Sequence, residues 1–334
     1  MKTEFPIDFV VIWVDMNDPL WQENFARYKG IENTDSYNTG MERFRDYGFL
    51  KYWFRGVEKF TPWVNKIHFV TCGQHPEWLD NNNPKINLVS HSDIIPVEFL
   101  PTFNSGVIER YIHRIPGLSE HFVYFNDDFY IIKPTSPERF FQKGLPCDIA
   151  VFQYNPSWSP YYVMLKNNIR IINSRFNKKE ILQRDKDKWF SPEYGKKVRM
   201  NKLLRLYDKF ITLRVHHNAQ PYLKKSYEHA WEFAEKELKE TSKNRFREKS
   251  DYTHELFRTW QICEGNFIPY NTYKDTKMFP LMVKPKQAVK AIRNQEYNLV
   301  CINDNKNIRN YDALMEEIHG AFDSILPEKS SFEL

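Results

Sequence analysis

The sequence contains no long hydrophobic run. Its longest unbroken apolar stretch, Phe9 to Val14, is far shorter than the roughly 20 residues that a helix needs to cross a bilayer. The first eight residues, MKTEFPID, place acidic residues and a proline where a signal peptide needs an apolar segment. We therefore expect neither a membrane-spanning helix nor an export signal.

Closely spaced cysteines are also missing. The four cysteines lie far apart in the chain, and none belongs to a Cys-x-x-Cys pair. This spacing predicts neither a zinc ribbon nor a disulfide framework. A reducing, cytoplasmic setting fits the pattern best.

Positive charge is in slight excess and is unevenly distributed. The net charge is +5, and Lys and Arg concentrate in residues 165–179 and 195–209. Such segments could face anionic lipid, nucleic acid or a phosphorylated substrate, although a solvated basic surface is the simpler explanation. We predict no nucleic-acid partner and leave open a peripheral attachment to the inner face of a membrane.

Apolar runs alternate with helical patterns in the first half of the chain. Its 334 residues are 41% apolar, enough to bury the core of one large domain or two ordinary ones. The strand candidates are residues 7–15, 66–72, 86–91, 121–128 and 147–154. Helix candidates at 43–60 and 105–117 lie between them. The predicted class is α/β, with a Rossmann-like, mixed or mostly parallel sheet and flanking helices.

The second half is predicted to be mostly helical and to complete the active site. Residues 221–240 have the spacing of an amphipathic helix with Pro221 near its start, and residues 296–304 could return to the sheet as a strand. A closing helix follows from Tyr311. The predicted divisions are a nucleotide-sugar and metal-binding part (1–155), a basic insertion that contacts acceptor or lipid (156–209), and a helical part (210–334).

Two adjacent carboxylates, Asp127 and Asp128, interrupt the buried pattern of HFVYFNDDFYII. Ionised carboxylates with little hydration repel each other unless a cation, hydrogen-bond donors or water compensate them. Ligands of open α/β sheets gather beyond the carboxyl ends of strands, where Asp15 also falls. A Mg²⁺ ion on a nucleotide diphosphate would fit. A solvated turn with Asn126 is the simpler alternative.

Basic and polar side chains recur in four other segments. The substrate-binding candidates are Asp15, Arg45, Asn104, Ser105, Arg110, His113 and Arg114. The catalytic candidates are His216, His217, Arg247 and Asp251. Adjacent histidines offer a general base near neutral pH, and arginines stabilise phosphate charge. Each segment alone is equally compatible with an ordinary helix cap or a charged loop.

The order and wording of these segments resemble the four conserved regions of the Stealth family. The segments are IDFVVIWVDMNDPLW; RFRD through the NDD segment; HHNAQPY with RFREKSDYTHELF; and CINDN with LPEKSSFEL. The chain departs from the family pattern at Phe49 and at Met16–Asn17, which leaves the aspartates untouched. The resemblance implies transfer of a hexose-1-phosphate from a nucleotide sugar to a hydroxyl, with a divalent metal. Asp304 of CINDN joins Asp127 and Asp128 as the predicted metal ligands.

The predicted enzyme is a cytoplasmic sugar-1-phosphate transferase of capsular or cell-surface polysaccharide synthesis. It would use Mg²⁺ or Mn²⁺, a UDP-sugar donor, and a glycan or lipid-linked oligosaccharide acceptor, and would release UMP. Arg110, Arg114 and Arg247 would contact the phosphates, and His217 would accept the proton, with His216 as the alternative. Two other hypotheses are a metal-dependent glycosyltransferase that releases UDP and a non-enzymatic carbohydrate-binding protein.

Overall fold

The computed structural model describes residues 3–32, 40, 44, 47–303, 308 and 310–334. The strands are β1 (Ile7–Ile12), β2 (Ile67–Thr71), β3 (Ile86–Ser90), β4 (His121–Phe125), β5 (Phe129–Ile131), β6 (Phe141–Gln142), β7 (Leu145–Asp148), β8 (Gln220–Leu223), β9 (Ile268–Pro269), β10 (Thr276–Pro280) and β11 (Leu299–Asn303). The helices are α1 (Pro19–Glu32), α2 (Leu50–Phe60), α3 (His91–Ile94), α4 (Ser105–Tyr111), α5 (Pro160–Arg175), α6 (Lys178–Arg184), α7 (Lys186–Trp189), α8 (Val198–Leu204), α9 (Lys224–Ser242), α10 (Glu255–Glu264), α11 (Pro285–Arg293) and α12 (Tyr311–Ile325).

A five-stranded sheet forms the centre, in the order β3-β2-β1-β4-β8. The first four strands are parallel, and β8 runs antiparallel to β4 at the edge. In the register of β1, Phe9 lies opposite Ile67 of β2 and Val123 of β4. The predicted α/β class with a mixed, mostly parallel sheet is confirmed.

The two faces of this sheet bury separate cores, because successive strand residues point to opposite sides. Ile7, Phe9 and Val11 of β1 belong to one core, which α2, α11 and α12 cover. Val10 belongs to the other, which α4, α9 and α10 cover. Aromatic residues fill both cores, as in the stacking of Tyr227 on Phe257 with ring centroids 3.8 Å apart.

Four sequence predictions of secondary structure need correction. The strand predicted at 121–128 ends at Phe125, and the chain turns before β5. Of the strand predicted at 147–154, only the start is β7, and Phe152 makes an isolated bridge. β11 does not return to the central sheet but lies between β5 and β10 in a second sheet. Pro221 lies in β8, so α9 begins three residues later than the proline, at Lys224.

The second half is bound into the first through its strands. β8 extends the central sheet beside β4, and β11 pairs with β5. The segment predicted as a basic insertion, residues 156–209, contains helices α5 to α8. The proposed division at residues 155 and 209 stays a prediction. No helix in the described part of the chain combines the length and the apolar character that crossing a bilayer requires.

The close packing of α2 against β5 can be tested by mutation. A Cβ atom added to Gly56 would lie 2.5 Å from the Ile131 carbonyl oxygen. Gly56→Ala should therefore force the helix from the sheet and cost about 1–3 kcal/mol in the free energy of unfolding. In the matched control, Gly320→Ala, the exposed glycine in α12 has nothing within 4 Å, so this change should stabilise by about 0.5–1 kcal/mol. Urea unfolding measures both, and an unaltered Gly56→Ala protein would contradict this packing.

Candidate active site

Three segments converge beyond the carboxyl end of β4. The turn Asn126–Asp128 follows that strand directly. His217 lies just before β8, whose start is beside the end of β4 because the two strands are antiparallel and Tyr124 pairs with Gln220. The end of β11 reaches the same place, where the Ile302 N–H donates to the Asp128 carbonyl oxygen at 2.9 Å. The fold therefore assembles this site from distant parts of the sequence.

Asp128 lies at the centre of this convergence. Its Oδ2 accepts a hydrogen bond from the Cys301 thiol at 3.1 Å and lies 3.6 Å from His217 Nε2. Its Oδ1 is buried and has no hydrogen-bond partner among the described residues. Leaving a buried carboxylate oxygen unpaired is costly, so this atom is the one that a ligand or cation would satisfy.

Charges in this group shift two pKa values in opposite directions. Burial works against ionisation of Asp128, but hydrogen bonds from His217, Cys301 and Asn303 outweigh it and lower the pKa of this carboxyl. Burial likewise opposes the cationic form of His217, yet the adjacent Asp128 carboxylate raises the pKa of the imidazole. Without another cation nearby, the two side chains therefore form an ion pair.

The neighbouring histidine has a different environment. The His216 Nδ1 atom lies 2.7 Å from Thr272 Oγ1, and the ring stacks on Tyr273 with centroids 3.7 Å apart. Burial, together with the positive charges of Arg139 and Arg258, lowers the pKa of His216 to about 3. His216 is therefore neutral and held in place, whereas His217 can change its charge.

A buried carboxylate from α4, Glu109, forms another wall of the site. The Tyr124 hydroxyl lies 3.1 Å from Glu109 Oε1 and 2.6 Å from Asn126 Oδ1. A hydroxyl donates one proton, so the Asn126 amide can rotate to donate to Tyr124 while Tyr124 donates to Glu109. His254 lies at the start of α10, and its Nδ1 atom is 2.8 Å from the Tyr222 hydroxyl oxygen. Its side chain also lines the cleft described next.

A cleft of about 570 Å³ lies next to this group, and its lining includes Asn126 and His217 on either side of Asp128. Helix α5 contributes Tyr161, Tyr162 and Leu165 to its lining. The described lining contains one arginine, Arg247, and one lysine, Lys277. The Arg247 guanidinium donates a hydrogen bond to Ser105 Oγ. The cleft thus combines acidic, basic and aromatic walls, and its size suits a ligand larger than a single sugar ring.

Asp251 and Asn104 support the cleft rather than project freely into it. Asp251 Oδ2 accepts from Asn104 Nδ2 at 2.7 Å and from the Glu248 N–H at 2.9 Å. Asn104 Oδ1 in turn accepts from the Gly106 N–H, which caps α4. Both side chains line the cleft, but their polar atoms are engaged in fixing α4 and the segment before Asp251 to each other.

Other predicted residues are not brought to the described lining. The guanidinium of Arg110 is fully buried and donates to Gly106 O and to Thr241, and burial lowers its pKa. His113 is buried between Tyr227 and Trp231, where burial lowers its pKa to about 3.

Two further predicted residues, Arg114 and Asp15, also lie outside the described lining of the cleft. Arg114 lies over the rings of Tyr111 and Trp231. Asp15 exchanges backbone hydrogen bonds with the Gln74 side chain. Arg45 and Asp304 lie outside the described residues.

Comparison with known proteins identifies the family. Residues 43–147 match the family model described as Stealth protein CR2, conserved region 2. The receptor polysaccharide phosphotransferase WefC of Streptococcus oralis is 40% identical over 98% of this chain and 99% of its own. The capsular polysaccharide phosphotransferase WcwK of Streptococcus pneumoniae is 38% identical over 100% of this chain and 99% of its own. The chain belongs to the Stealth family.

A third relative is also named as a polysaccharide phosphotransferase. The exopolysaccharide phosphotransferase cps2G of Lactiplantibacillus plantarum is 38% identical over 98% of this chain and 96% of its own. The predicted family and the prediction of a phosphotransferase enzyme are confirmed. The hypothesis of a non-enzymatic carbohydrate-binding protein is wrong. The matched region of the Stealth family contains Glu109 and Asp128, while His217 and Cys301 lie beyond it.

Sequence reasoning missed two of the residues that form the site in this Stealth protein. Glu109 follows Ser105 by four positions, a spacing that puts both on one helix face, so it could have been chosen with Ser105. Cys301 gave no such signal. It reaches Asp128 only because β11 pairs with β5, which local sequence does not reveal.

The pairing of His217 with Asp128 predicts a pH effect in metal-free protein. Because the folded pKa of His217 is raised and that of Asp128 is lowered, the ion pair stabilises the fold between these two values. This contribution is lost as the pH rises through the folded pKa of His217 or falls through that of Asp128. Asp128→Asn should therefore lower the pKa of His217, because burial would remain and the attraction would not.

Imidazole NMR titration, with His217→Gln for assignment, measures this change. His216 serves as the internal control and should stay neutral down to about pH 3 in the parent protein. An unchanged His217 titration in the Asp128→Asn protein would show that the carboxylate does not control this imidazole.

Proposed function

We propose that this protein transfers a sugar-1-phosphate from a UDP-sugar to a glycan hydroxyl in capsular or other cell-surface polysaccharide synthesis. The acceptor oxygen attacks the β-phosphorus, the bond from that phosphorus to the bridging oxygen breaks, and UMP leaves. The observation that carries the proposal is the pairing of Asp128 with His217, which lines a cleft that also contains Arg247, while the other Asp128 oxygen has no partner among the described residues. The names of the Stealth relatives support phosphotransfer in polysaccharide synthesis.

The residues present suit a Mg²⁺ or Mn²⁺ ion. Asp128 Oδ1 is a buried carboxylate oxygen without a partner in the described structure, and Asp127 adjoins it. Burial and the neighbouring Asp128 and Asp127 carboxylates raise the pKa of Cys301 well above that of an ordinary thiol. Cys301 therefore stays protonated and orients Asp128, while oxygen atoms would hold the hard ion. When bound, such an ion neutralises charge on the diphosphate.

His217 is the proposed general base. Its imidazole lines the cleft 3.6 Å from Asp128 Oδ2, and its pKa depends on Asp128. With an ion held by Asp128, the imidazole would be less strongly stabilised in its protonated form and would be able to accept the proton of the acceptor hydroxyl. His216, which is already neutral and hydrogen-bonded to Thr272, would orient the segment instead.

The donor and acceptor would occupy different walls of the cleft. Arg247, with Lys277, offers positive charge to the diphosphate, and phosphoryl transfer depends mainly on such positioning and charge stabilisation. Tyr161 and Tyr162 of α5 offer flat aromatic surfaces to a glycan or lipid-linked oligosaccharide. We further propose a cytoplasmic location with peripheral attachment to the inner face of the membrane, where a lipid-linked acceptor would be anchored.

The bond that is broken tests the reaction directly. With a UDP-sugar donor labelled at the β-phosphate and a glycan acceptor, the label should enter the glycan as a phosphodiester while UMP accumulates in equal amount. Chromatography of the nucleotide and ³¹P NMR of the glycan measure both products. Label recovered in UDP, together with an unphosphorylated glycoside, would establish the glycosyltransferase alternative.

Metal removal is the control for the same assay. EDTA should abolish transfer, and added Mg²⁺ or Mn²⁺ should restore it in the parent protein but not in Asp128→Asn. Mn²⁺ binding followed by electron paramagnetic resonance gives a readout that does not depend on turnover. Unchanged Mn²⁺ binding by the Asp128→Asn protein would exclude Asp128 as the ligand.

The two adjacent histidines should differ in their effects on rate. Loss of a general base costs roughly a hundredfold to ten-thousandfold, so His217→Ala should fall in that range with donor binding little changed. His216→Ala is the matched control and should lose less. Single-turnover transfer rates and donor titrations measure the difference, and the reverse ranking would assign the base to His216.

A further inference from the structure

The end of α8 and the turn after it expose apolar side chains to water. Leu203, Leu206 and Tyr207 are 61%, 75% and 51% exposed. Single exposed apolar residues are common on protein surfaces, but three within five positions form a local patch. The residues between and beside them, Leu204 and Phe210, are buried and anchor the segment to the protein.

This turn is held rigidly by hydrogen bonds from the helices beneath it. The buried Lys178 ammonium donates to the carbonyl oxygens of Leu204 at 2.8 Å and Tyr207 at 2.7 Å. The Asn173 side chain both donates to the Phe210 carbonyl and accepts from its N–H. Leu206 and Tyr207 are therefore presented outwards by a fixed backbone.

Exposed cations precede, alternate with and follow the apolar residues along the chain. The exposed basic residues of this surface are Lys196, Arg199, Lys202, Arg205 and Lys209. Within the described ranges of the chain, none of them forms an ion pair. Asp208 is the acidic residue of the turn, and the nearby Glu193 is paired with Lys274 at 2.5 Å. The surface consequently has an excess of positive charge around an apolar centre.

We propose that this surface, residues 196–209, binds the protein to a membrane that contains anionic lipid. Leu203, Leu206 and Tyr207 enter the interface between headgroups and acyl chains, and the basic side chains contact the lipid phosphates. A nucleic acid would use the cations but would leave the leucines in water. A bilayer surface accommodates both the basic and the apolar side chains, because it has anionic headgroups above an apolar interior.

The position of the surface beside the cleft gives this binding a consequence. The chain passes from Tyr207 through Phe210 to Thr212, which lines the cleft and exchanges hydrogen bonds with Gln153. A protein bound through the turn therefore has one wall of its cleft near the membrane. If the proposed function holds, that geometry brings the cleft to an acceptor anchored in lipid; the binding itself does not depend on it.

Vesicle flotation of the full chain tests the proposal. The protein should float with phosphatidylglycerol–phosphatidylcholine vesicles and much less with pure phosphatidylcholine vesicles, and added salt should weaken the binding. The triple change Leu203→Ser, Leu206→Ser and Tyr207→Ser should weaken it by about tenfold or more. Replacing Lys202, Arg205 and Lys209 with Gln should also weaken it, by roughly fivefold for each charge, and should remove most of its salt dependence.

A matched variant distinguishes this surface from exposed apolar residues in general. Leu20, Val97 and Val283 are 67%, 81% and 63% exposed and lie elsewhere in the chain, so replacing them with Ser should leave flotation unchanged. Thermal unfolding verifies that each variant is folded. Equal losses in the two apolar variants, or equal binding to both kinds of vesicle, would overturn the proposal.

Two other results would assign the surface to a different partner. A dimer seen by light scattering and abolished by the Leu203, Leu206 and Tyr207 changes would make it an interface between copies of this chain. Retention of RNA, lost in the Gln variant but not in the Ser variant, would make it a nucleic-acid surface. Neither result would alter the nucleotide product measured with a soluble acceptor, so failure here and failure of the proposed function are separable.

Discussion

The organisation of the site depends on one buried carboxylate oxygen, Asp128 Oδ1, that lacks a hydrogen-bond partner among the described residues. Such an atom is unfavourable unless the fold holds it there and something else binds it. Cys301 and His217 approach the other oxygen, Oδ2, and so fix the direction in which Oδ1 points. Strands β4, β8 and β11 supply the backbone that keeps these three side chains together.

Secondary-structure elements with a local hydrophobic pattern could be predicted from the sequence. Strands β1, β2 and β4 are apolar on both faces because helices cover both faces of the sheet, and this is visible in any short window. Strand pairing is not local. The placement of β11 beside β5, rather than in the central sheet, is decided by contacts between segments more than 160 residues apart in the chain. The assignment of 147–154 failed for the same reason, since in the described structure its second half makes only an isolated bridge, between Phe152 and Leu213.

Within the site, the sequence indicated which residue types matter but not which way they face. Asp128 and His217 were predicted separately, and the fold brings them within 3.6 Å. Arg110 and Arg247 looked equivalent as phosphate contacts, yet one guanidinium is enclosed by Thr241 and Gly106 while the other lines the cleft. Burial separates them, and burial depends on α9, which no local pattern connects to α4.

His216 and His217 show how one step along the backbone changes the chemistry of identical side chains. His216 faces Thr272 and two buried arginines, so its charge is suppressed at any pH near neutral. His217 faces Asp128, so its charge is set by whatever else binds that carboxylate. An imidazole paired with a bare carboxylate is an acid, and it becomes a base when a cation takes over the carboxylate's negative charge. On the proposed mechanism, an ion held by Asp128 would also weaken the attraction that favours the protonated imidazole, so this one carboxylate would link the ion site to the readiness of His217 to accept a proton.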